Sequence, residues 1–245
     1  MQKFVHAAPD GDWFVHPFVR EKLPVERDGP VRDEIKAYAD DFVARLAAEQ
    51  WFEAAKMITD THRPTWIKEF IEPLIPCDAR GDIKFWKMLK QAWTSSGLTD
   101  GVSENWAQLF SAPRSNSASL MTCSERRWLA ARGSTLKLWR GLGAHDAQEA
   151  EGFARRGLAW TIYRETAEWF AERGANWGYR PHRFVACTSV PIGLVTAFFG
   201  ENGEGEVILA NGLPGEYLVE IVPGSTGTEW LRSCHDWKAD IALKE

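Results

Sequence analysis

Two carboxylates stand one residue apart late in the chain, in the segment Glu204-Gly205-Glu206. The apolar run 207–210 that follows is short and β-branched, has glycines nearby on both sides, and predicts a strand. Because side chains alternate along a strand, both carboxyl groups are expected on one face, with their backbones roughly 6.5–7 Å apart. Such a pair can supply a general base or hold a cation, and it is also typical of charged residues that protect the end of a strand.

Two further motifs precede the acidic pair. Trp139-Arg140-Gly141 ends a predicted strand, and Ala159-Trp160-Thr161 lies on the next predicted strand, about twenty residues later. Taken alone, Arg140 is typical of a surface arginine at a strand end. The order of the three motifs along the chain is more informative than any one of them.

In this order the motifs resemble the signature of the Arg-Ser-Glu class of mono-ADP-ribosyltransferases, which runs aromatic-Arg-Gly, then Ser-x-Ser/Thr, then Glu-x-Glu. The resemblance covers about 113 residues, 133–245, and extends upstream to about residue 120. It implies an ADP-ribosyltransferase-like split β-sandwich and an enzyme that uses NAD as its substrate and cleaves the bond between nicotinamide and ribose. The chain departs from the family at Ala159, where the first serine is missing, so the orientation of Glu206 must depend on Thr161 or on another group.

The resemblance also implies a role for each residue of the motifs. Glu206 is expected to bind the ribose 2-hydroxyl as positive charge develops on the sugar, and Glu204 is expected to act as general base or to hold a cationic acceptor. Arg140 is expected to bind the pyrophosphate with its planar fork of donors, and the main chain of Gly141 to hold the nicotinamide amide. The other residues expected to contact NAD are Thr161, Phe170 and Trp160.

The acceptor of the ADP-ribose is expected to be an intracellular macromolecule. In the family, Glu at the first position of Glu-x-Glu usually goes with a protein arginine, whereas members that modify nucleic acid more often carry Gln, so Glu204 favours arginine. Phe198 and Phe199 are expected beside the loop that meets the acceptor, where a ring can stack on a guanidinium or on a base, so nucleic acid stays open.

Two alternatives to transfer remain open. One is an NAD glycohydrolase with water as the acceptor, and the other is a non-catalytic binding module on a degenerate transferase fold, of which Ala159 is the first sign. By analogy, the transferase would act as a toxin of a toxin–antitoxin or phage-defence module, which implies a possible antitoxin partner, or as a phage-encoded modifier of host proteins.

The bulk properties of the chain limit its partners. A net charge of −5 spread over 245 residues gives no general attraction to nucleic acid or to an anionic membrane. The four cysteines are widely spaced, and the chain shows no export signal and no apolar run of the ~20 residues needed to span a bilayer. We therefore expect a cytoplasmic protein with free thiols, no membrane partner and no metal site.

The hydrophobic pattern changes near residue 130. Before it, apolar residues recur at helical spacing, and the expected helices include residues 65–74, 82–93, 103–110 and 124–131. Six tryptophans recur where a buried helix face would lie: Trp51, Trp66, Trp86, Trp93, Trp106 and Trp128. After Gly133, two helices are interleaved among at least six short strands, which predicts an α+β fold with mostly antiparallel strands. The predicted domains are a mainly helical region, 1–130, and an ADP-ribosyltransferase-like catalytic domain, 131–245.

Overall fold

The structure is a computed structural model, and it describes residues 13–14, 23–24, 30–97, 103–177, 180–201 and 203–224. The chain divides into two compact units, Met1–Leu120 and Met121–Glu245. The boundary predicted from the sequence, after residue 130, comes later than this division because the helix Cys123–Ala130 belongs to the second unit.

The first unit is mainly helical in its described residues. Its elements are the short strands β1 (Trp13–Phe14) and β2 (Leu23–Pro24), the helices α1 (Pro30–Ala47), α2 (Trp51–Lys56), α3 (Arg63–Trp66), α4 (Ala79–Thr94) and α5 (Ser103–Phe110), and irregular helical turns at Ile67–Ile71, Glu72–Leu74 and Ser117–Leu120. All six tryptophans predicted for the core, including Trp128 of the second unit, are at most 9% exposed, which confirms that prediction. Burial of these large rings supplies much of the apolar surface that holds the short helices together.

In the residues that the structure describes, the second unit consists of an antiparallel sheet with three helices. Its elements are α6 (Cys123–Ala130), β3 (Thr135–Ala144), α7 (Ala147–Arg156), β4 (Ala159–Thr161), α8 (Arg164–Trp177), β5 (His182–Pro191), a short 3-10 turn, β6 (Ala197–Phe199), β7 (Glu206–Ile208) and β8 (Glu220–Pro223). The six strands lie in the order β6-β7-β4-β3-β5-β8, and every pairing is antiparallel. The predicted α+β class with antiparallel strands is therefore confirmed.

The two faces of this sheet are covered by different helices. Even-numbered residues of β3, such as Leu138 and Leu142, belong to a core cluster with Ala150 and Ala154 of α7. The odd-numbered Trp139 packs instead in a cluster with Ala167 and Ala171 of α8. Because side chains alternate along a strand, β3 separates an α7 face from an α8 face.

Helix α8 lies unusually close to β3 because two glycines of the strand remove side chains from its path. A Cβ atom on Gly141 would lie 1.9 Å from the carbonyl oxygen of Ala167, and one on Gly143 would lie 2.8 Å from the nitrogen of Ala175. Gly174 of α8 faces Gly143 in turn. Helix α8 continues past Gly174 to Trp177, so this glycine serves close packing and does not end the helix.

Substitution of Gly141 by Ala tests this close approach. The added methyl group overlaps a helix carbonyl that cannot move alone, so the variant is expected to lose about 3 kcal/mol of unfolding free energy. Gly193→Ala is the matched control, because a Cβ there meets no atom within 4 Å. Urea unfolding of both variants checks the prediction, and equal stability of the two would contradict it.

Candidate active site

The sheet register brings Glu206 and Thr161 together. Thr161 of β4 lies opposite Glu206 of β7, and on its other side it lies opposite Trp139 of β3. Directly opposed residues of antiparallel strands point to the same face, with Cβ atoms about 4.5–5.5 Å apart. Glu206, Thr161 and Trp139 therefore form a row across the face that α8 covers.

Glu204 reaches this site by a turn and not by a strand. Strand β7 begins at Glu206, and Gly205 has φ +57°, a left-handed conformation that favours glycine. A Cβ atom on Gly205 would lie 2.6 Å from the Tyr163 ring, so the residue must also lack a side chain. The expectation that both acids share one strand face is wrong, because the left-handed residue between them breaks the alternation.

The hydroxyl of Thr161 holds the backbone of this acidic turn. Thr161 Oγ1 donates a hydrogen bond of 2.6 Å to the carbonyl oxygen of Glu204 and accepts one of 3.1 Å from the backbone N–H of Tyr163. A hydroxyl carries one proton, so Thr161 has none left to donate to the Glu206 carboxylate. Its expected role of orienting that carboxylate is replaced by a role in positioning the main chain between the two acids.

Arg140 extends into a gap between β3 and β4. The two strands pair only at Trp139 and Thr161. The carbonyl of Ala159 points to β3, because the residues on either side of it, Leu158 and Trp160, direct their main-chain groups to β7. Arg140 Nη1 donates to this carbonyl, where a backbone donor of β3 would stand in a regular sheet.

Gly157 makes room for the head of Arg140. A Cβ atom on Gly157 would lie 2.3 Å from the guanidinium carbon. Gly157 directly follows α7, but its φ of −73° is not left-handed, so the glycine is needed for space and not for a turn.

The same gap receives the main chain of Gly141. Trp139 directs its N–H and C=O groups to β4, where Thr161 is its partner, and alternation along the strand directs those of Gly141 to the same side. Beyond Trp139, β4 no longer pairs with β3, so these groups face the gap beside the Arg140 guanidinium.

Arg140 and Glu206 lie on opposite faces of the sheet, on the two strands that flank β4. The register places the Arg140 side chain at its root on the α7 face, whereas Glu206 lies on the α8 face. The guanidinium nevertheless reaches the plane of the sheet at Ala159, two residues or about 6.6 Å along β4 from Thr161, the partner of Glu206. Glu206 itself lies one strand further from Arg140, on β7, so β4 separates the two residues.

Burial raises the pKa of the Glu204 carboxyl above its ordinary value, and the positive charge of Arg173 on α8 partly offsets this rise. The guanidinium carbon of Arg173 lies 5.1 Å from the centre of the Trp169 ring, one helical turn earlier. A raised pKa suits a group that takes up a proton during a reaction. Arg173 was missed by the sequence analysis, although an aromatic residue and an arginine four positions apart on a predicted helix are a readable signal.

The remaining predicted residues lie in different surroundings. Trp160 is 2% exposed, and its indole N–H donates to the Gly157 carbonyl, so the ring belongs to the core and offers no surface to a ligand. Phe170 is half-buried on α8, with its ring centroid 4.8 Å from that of Trp169. Phe198 and Phe199 are fully buried, so the expectation that they stack on an acceptor is wrong.

The chain matches no protein-family model, no curated protein sequence and no solved structure. No helix among the described residues combines the length and the apolar character that crossing a membrane requires. Within the same part of the chain, no three His, Cys, Asp or Glu residues are grouped so that they could hold a metal ion.

Replacement of Thr161 by Val tests the anchoring of the acidic turn. The loss of the hydroxyl leaves the Glu204 carbonyl and the Tyr163 N–H without this partner, which is expected to cost about 1–2 kcal/mol of unfolding free energy. Thr161→Ser keeps the hydroxyl and is expected to lose much less. Urea unfolding of both variants measures the difference, and a valine variant as stable as the serine variant would contradict the assignment.

Proposed function

We propose that the protein is an NAD-dependent mono-ADP-ribosyltransferase that cleaves the nicotinamide–ribose bond and transfers ADP-ribose to a macromolecule. One observation carries the proposal: the guanidinium of Arg140 and the main chain of Gly141 meet in the gap between β3 and β4, next to the strand pair of Thr161 and Glu206. An anion-binding fork and an amide-binding main chain thus lie on the β3 side of β4, and a carboxylate lies on the neighbouring strand β7.

NAD supplies groups that match these partners. Its pyrophosphate accepts charge-assisted hydrogen bonds from the guanidinium of Arg140, which has five N–H donors and gives one to Ala159. The carboxamide of nicotinamide is both donor and acceptor, as are the N–H and C=O of Gly141. Phe170, the residue expected to contact nicotinamide, lies on α8 and pairs with the ring of Trp169.

The reaction breaks one bond and forms another at the same carbon. The bond between ribose C1 and the pyridinium nitrogen breaks, both electrons leave with neutral nicotinamide, and positive charge develops on the ribose. The Glu206 carboxylate stabilises that charge through the 2-hydroxyl. The acceptor then attacks C1 and loses a proton, which Glu204 takes up.

A protein arginine is the proposed acceptor, and Glu204 is the residue that supports this choice. A carboxylate can hold the guanidinium in place and remove its proton as the new bond forms. Its partial burial makes it a stronger base than an exposed glutamate, and the positive charge of Arg173 offsets part of this effect.

Labelled NAD tests the proposed reaction. The protein is incubated with NAD labelled in the adenylate half and with cell lysate, and free nicotinamide is measured in parallel. The wild type is expected to release nicotinamide and to leave label on macromolecules, whereas Glu206→Gln lowers both rates about 100-fold or more because it removes the stabilising charge. Glu216→Gln, at an exposed turn outside the site, is the matched control.

Digestion of the labelled products identifies the acceptor. Label that protease releases and nuclease does not supports arginine transfer, and label lost only to nuclease identifies a nucleic-acid acceptor. Nicotinamide release with all label remaining as free ADP-ribose identifies a glycohydrolase. No nicotinamide release under any condition, or equal rates in the Glu206 and Glu216 variants, overturns the proposal.

The pH dependence of transfer is expected to follow the environment of Glu204. A base works only when ionised, so kcat falls as the pH decreases toward the raised pKa of Glu204. Arg173 lowers that pKa, so Arg173→Gln is expected to move the acid limb of the kcat profile to higher pH. Arg173→Lys keeps the charge and is expected to leave the limb near that of the wild type. A limb that does not move in Arg173→Gln would contradict the role of Glu204.

A further inference from the structure

Glu125 of α6 is a fully buried carboxylate that lies outside the three motifs. Its Oε2 atom accepts hydrogen bonds from the N–H and the hydroxyl of Thr122, at 2.8 and 3.1 Å, and closes a capping box at the start of α6. Its Oε1 atom accepts a hydrogen bond of 3.0 Å from the N–H of Gly200, 75 residues later in the chain. A helix cap alone would need only Oε2.

Gly200 begins the acidic loop, residues 200–205, which contains Glu204 and leads into Glu206 of β7. It follows β6 directly, and β6 pairs with β7 so that Phe199 lies opposite Glu206. Residues 200–205 therefore form the connection between two paired strands. Because β6 is at the edge of the sheet and Gly200 is buried, its N–H needs an acceptor from outside the sheet, which Glu125 supplies.

Packing of α6 fixes the carboxylate against this loop. The ring of Trp128 on α6 stacks on that of Phe198 in β6, with centroids 4.0 Å apart and planes 14° apart. Trp128 and Phe198 are each at most 2% exposed. The helix that carries Glu125 is thus held against the strand from which the acidic loop starts.

The loop is anchored at both ends. At its end, the Thr161 hydroxyl binds the carbonyl of Glu204, and the N–H of Ile162 donates to the carbonyl of Gly205 at 3.1 Å. At its start, the bond to Glu125 holds Gly200.

We infer that Glu125 is a positioning residue that fixes the acidic loop, and through it Glu204 and Glu206, in the geometry the reaction requires. The expected effect of Glu125 on the reaction rate rests on the proposed function, whereas its effect on the loop backbone does not. Glu125 is fully buried and lies outside the three motifs, so it acts on the reaction through the backbone that it holds.

Paired variants separate this role from that of a helix cap. Glu125→Ala removes both functions, whereas Thr122→Ala weakens the cap of α6 and leaves the bond to Gly200. Hydrogen exchange of peptides covering residues 198–206 is measured by mass spectrometry in the full chain, together with melting temperature and the kcat and KM for nicotinamide release. Glu125→Gln keeps one acceptor oxygen and serves as the conservative variant, and as the substitute if Glu125→Ala does not fold.

Glu125→Ala is expected to speed exchange in residues 198–206 about tenfold or more and to lower kcat about 10- to 100-fold, with little change in the KM for NAD. Thr122→Ala is expected to lower the melting temperature and to leave loop exchange and kcat near those of the wild type, and Glu125→Gln is expected to restore part of the loss. Equal loop exchange in the Glu125 and Thr122 variants overturns the inference. If the wild type releases no nicotinamide, the proposed reaction is wrong, and loop exchange still decides the role of Glu125.

Discussion

The pairing of β3 with β4 at one position, Trp139 opposite Thr161, is the constraint on which the site depends. A fully paired sheet would bond the main chain of Gly141 to that of Ala159 and close the opening. Because pairing stops there, the carbonyl of Ala159 binds the Arg140 guanidinium instead. The sheet thereby holds an arginine head within its own plane, beside the strand that pairs with Glu206.

Three glycines make this arrangement possible because they have no side chain. Gly141 lets α8 lie against β3, Gly157 leaves space for the guanidinium, and Gly205 turns the chain between the two acids under Tyr163. Each of these glycines is a residue that the proposed reaction uses or lies next to such a residue. Close packing explains all three glycines, and Gly205 in addition adopts a left-handed conformation.

Much of the fold could be predicted because it depends on local patterns. Helical spacing with the buried tryptophans identified the first unit, and glycine-bounded apolar runs identified the strands and the antiparallel class. The motifs also identified Glu206 and Thr161 as residues on late strands, and the register makes them neighbours. The proposed activity and NAD binding remain predictions that depend on the site.

Other features depend on contacts between distant residues, which local patterns do not contain. The hydroxyl of Thr161 has a choice of partners, and only the folded turn shows that it binds the Glu204 carbonyl. The bond from Gly200 to Glu125 joins segments 75 residues apart, and the left-handed Gly205 changes the placement of Glu204. Phe198 resembles a surface aromatic before a loop, but Trp128 covers it.

A crystal structure of the Glu206→Gln variant soaked with NAD tests the central claim most directly. We expect intact NAD, with its pyrophosphate bound to Arg140, its carboxamide bound to the main chain of Gly141 and its nicotinamide ribose in contact with residue 206. NAD bound away from the gap between β3 and β4, or NAD whose pyrophosphate does not contact Arg140, would contradict this expectation.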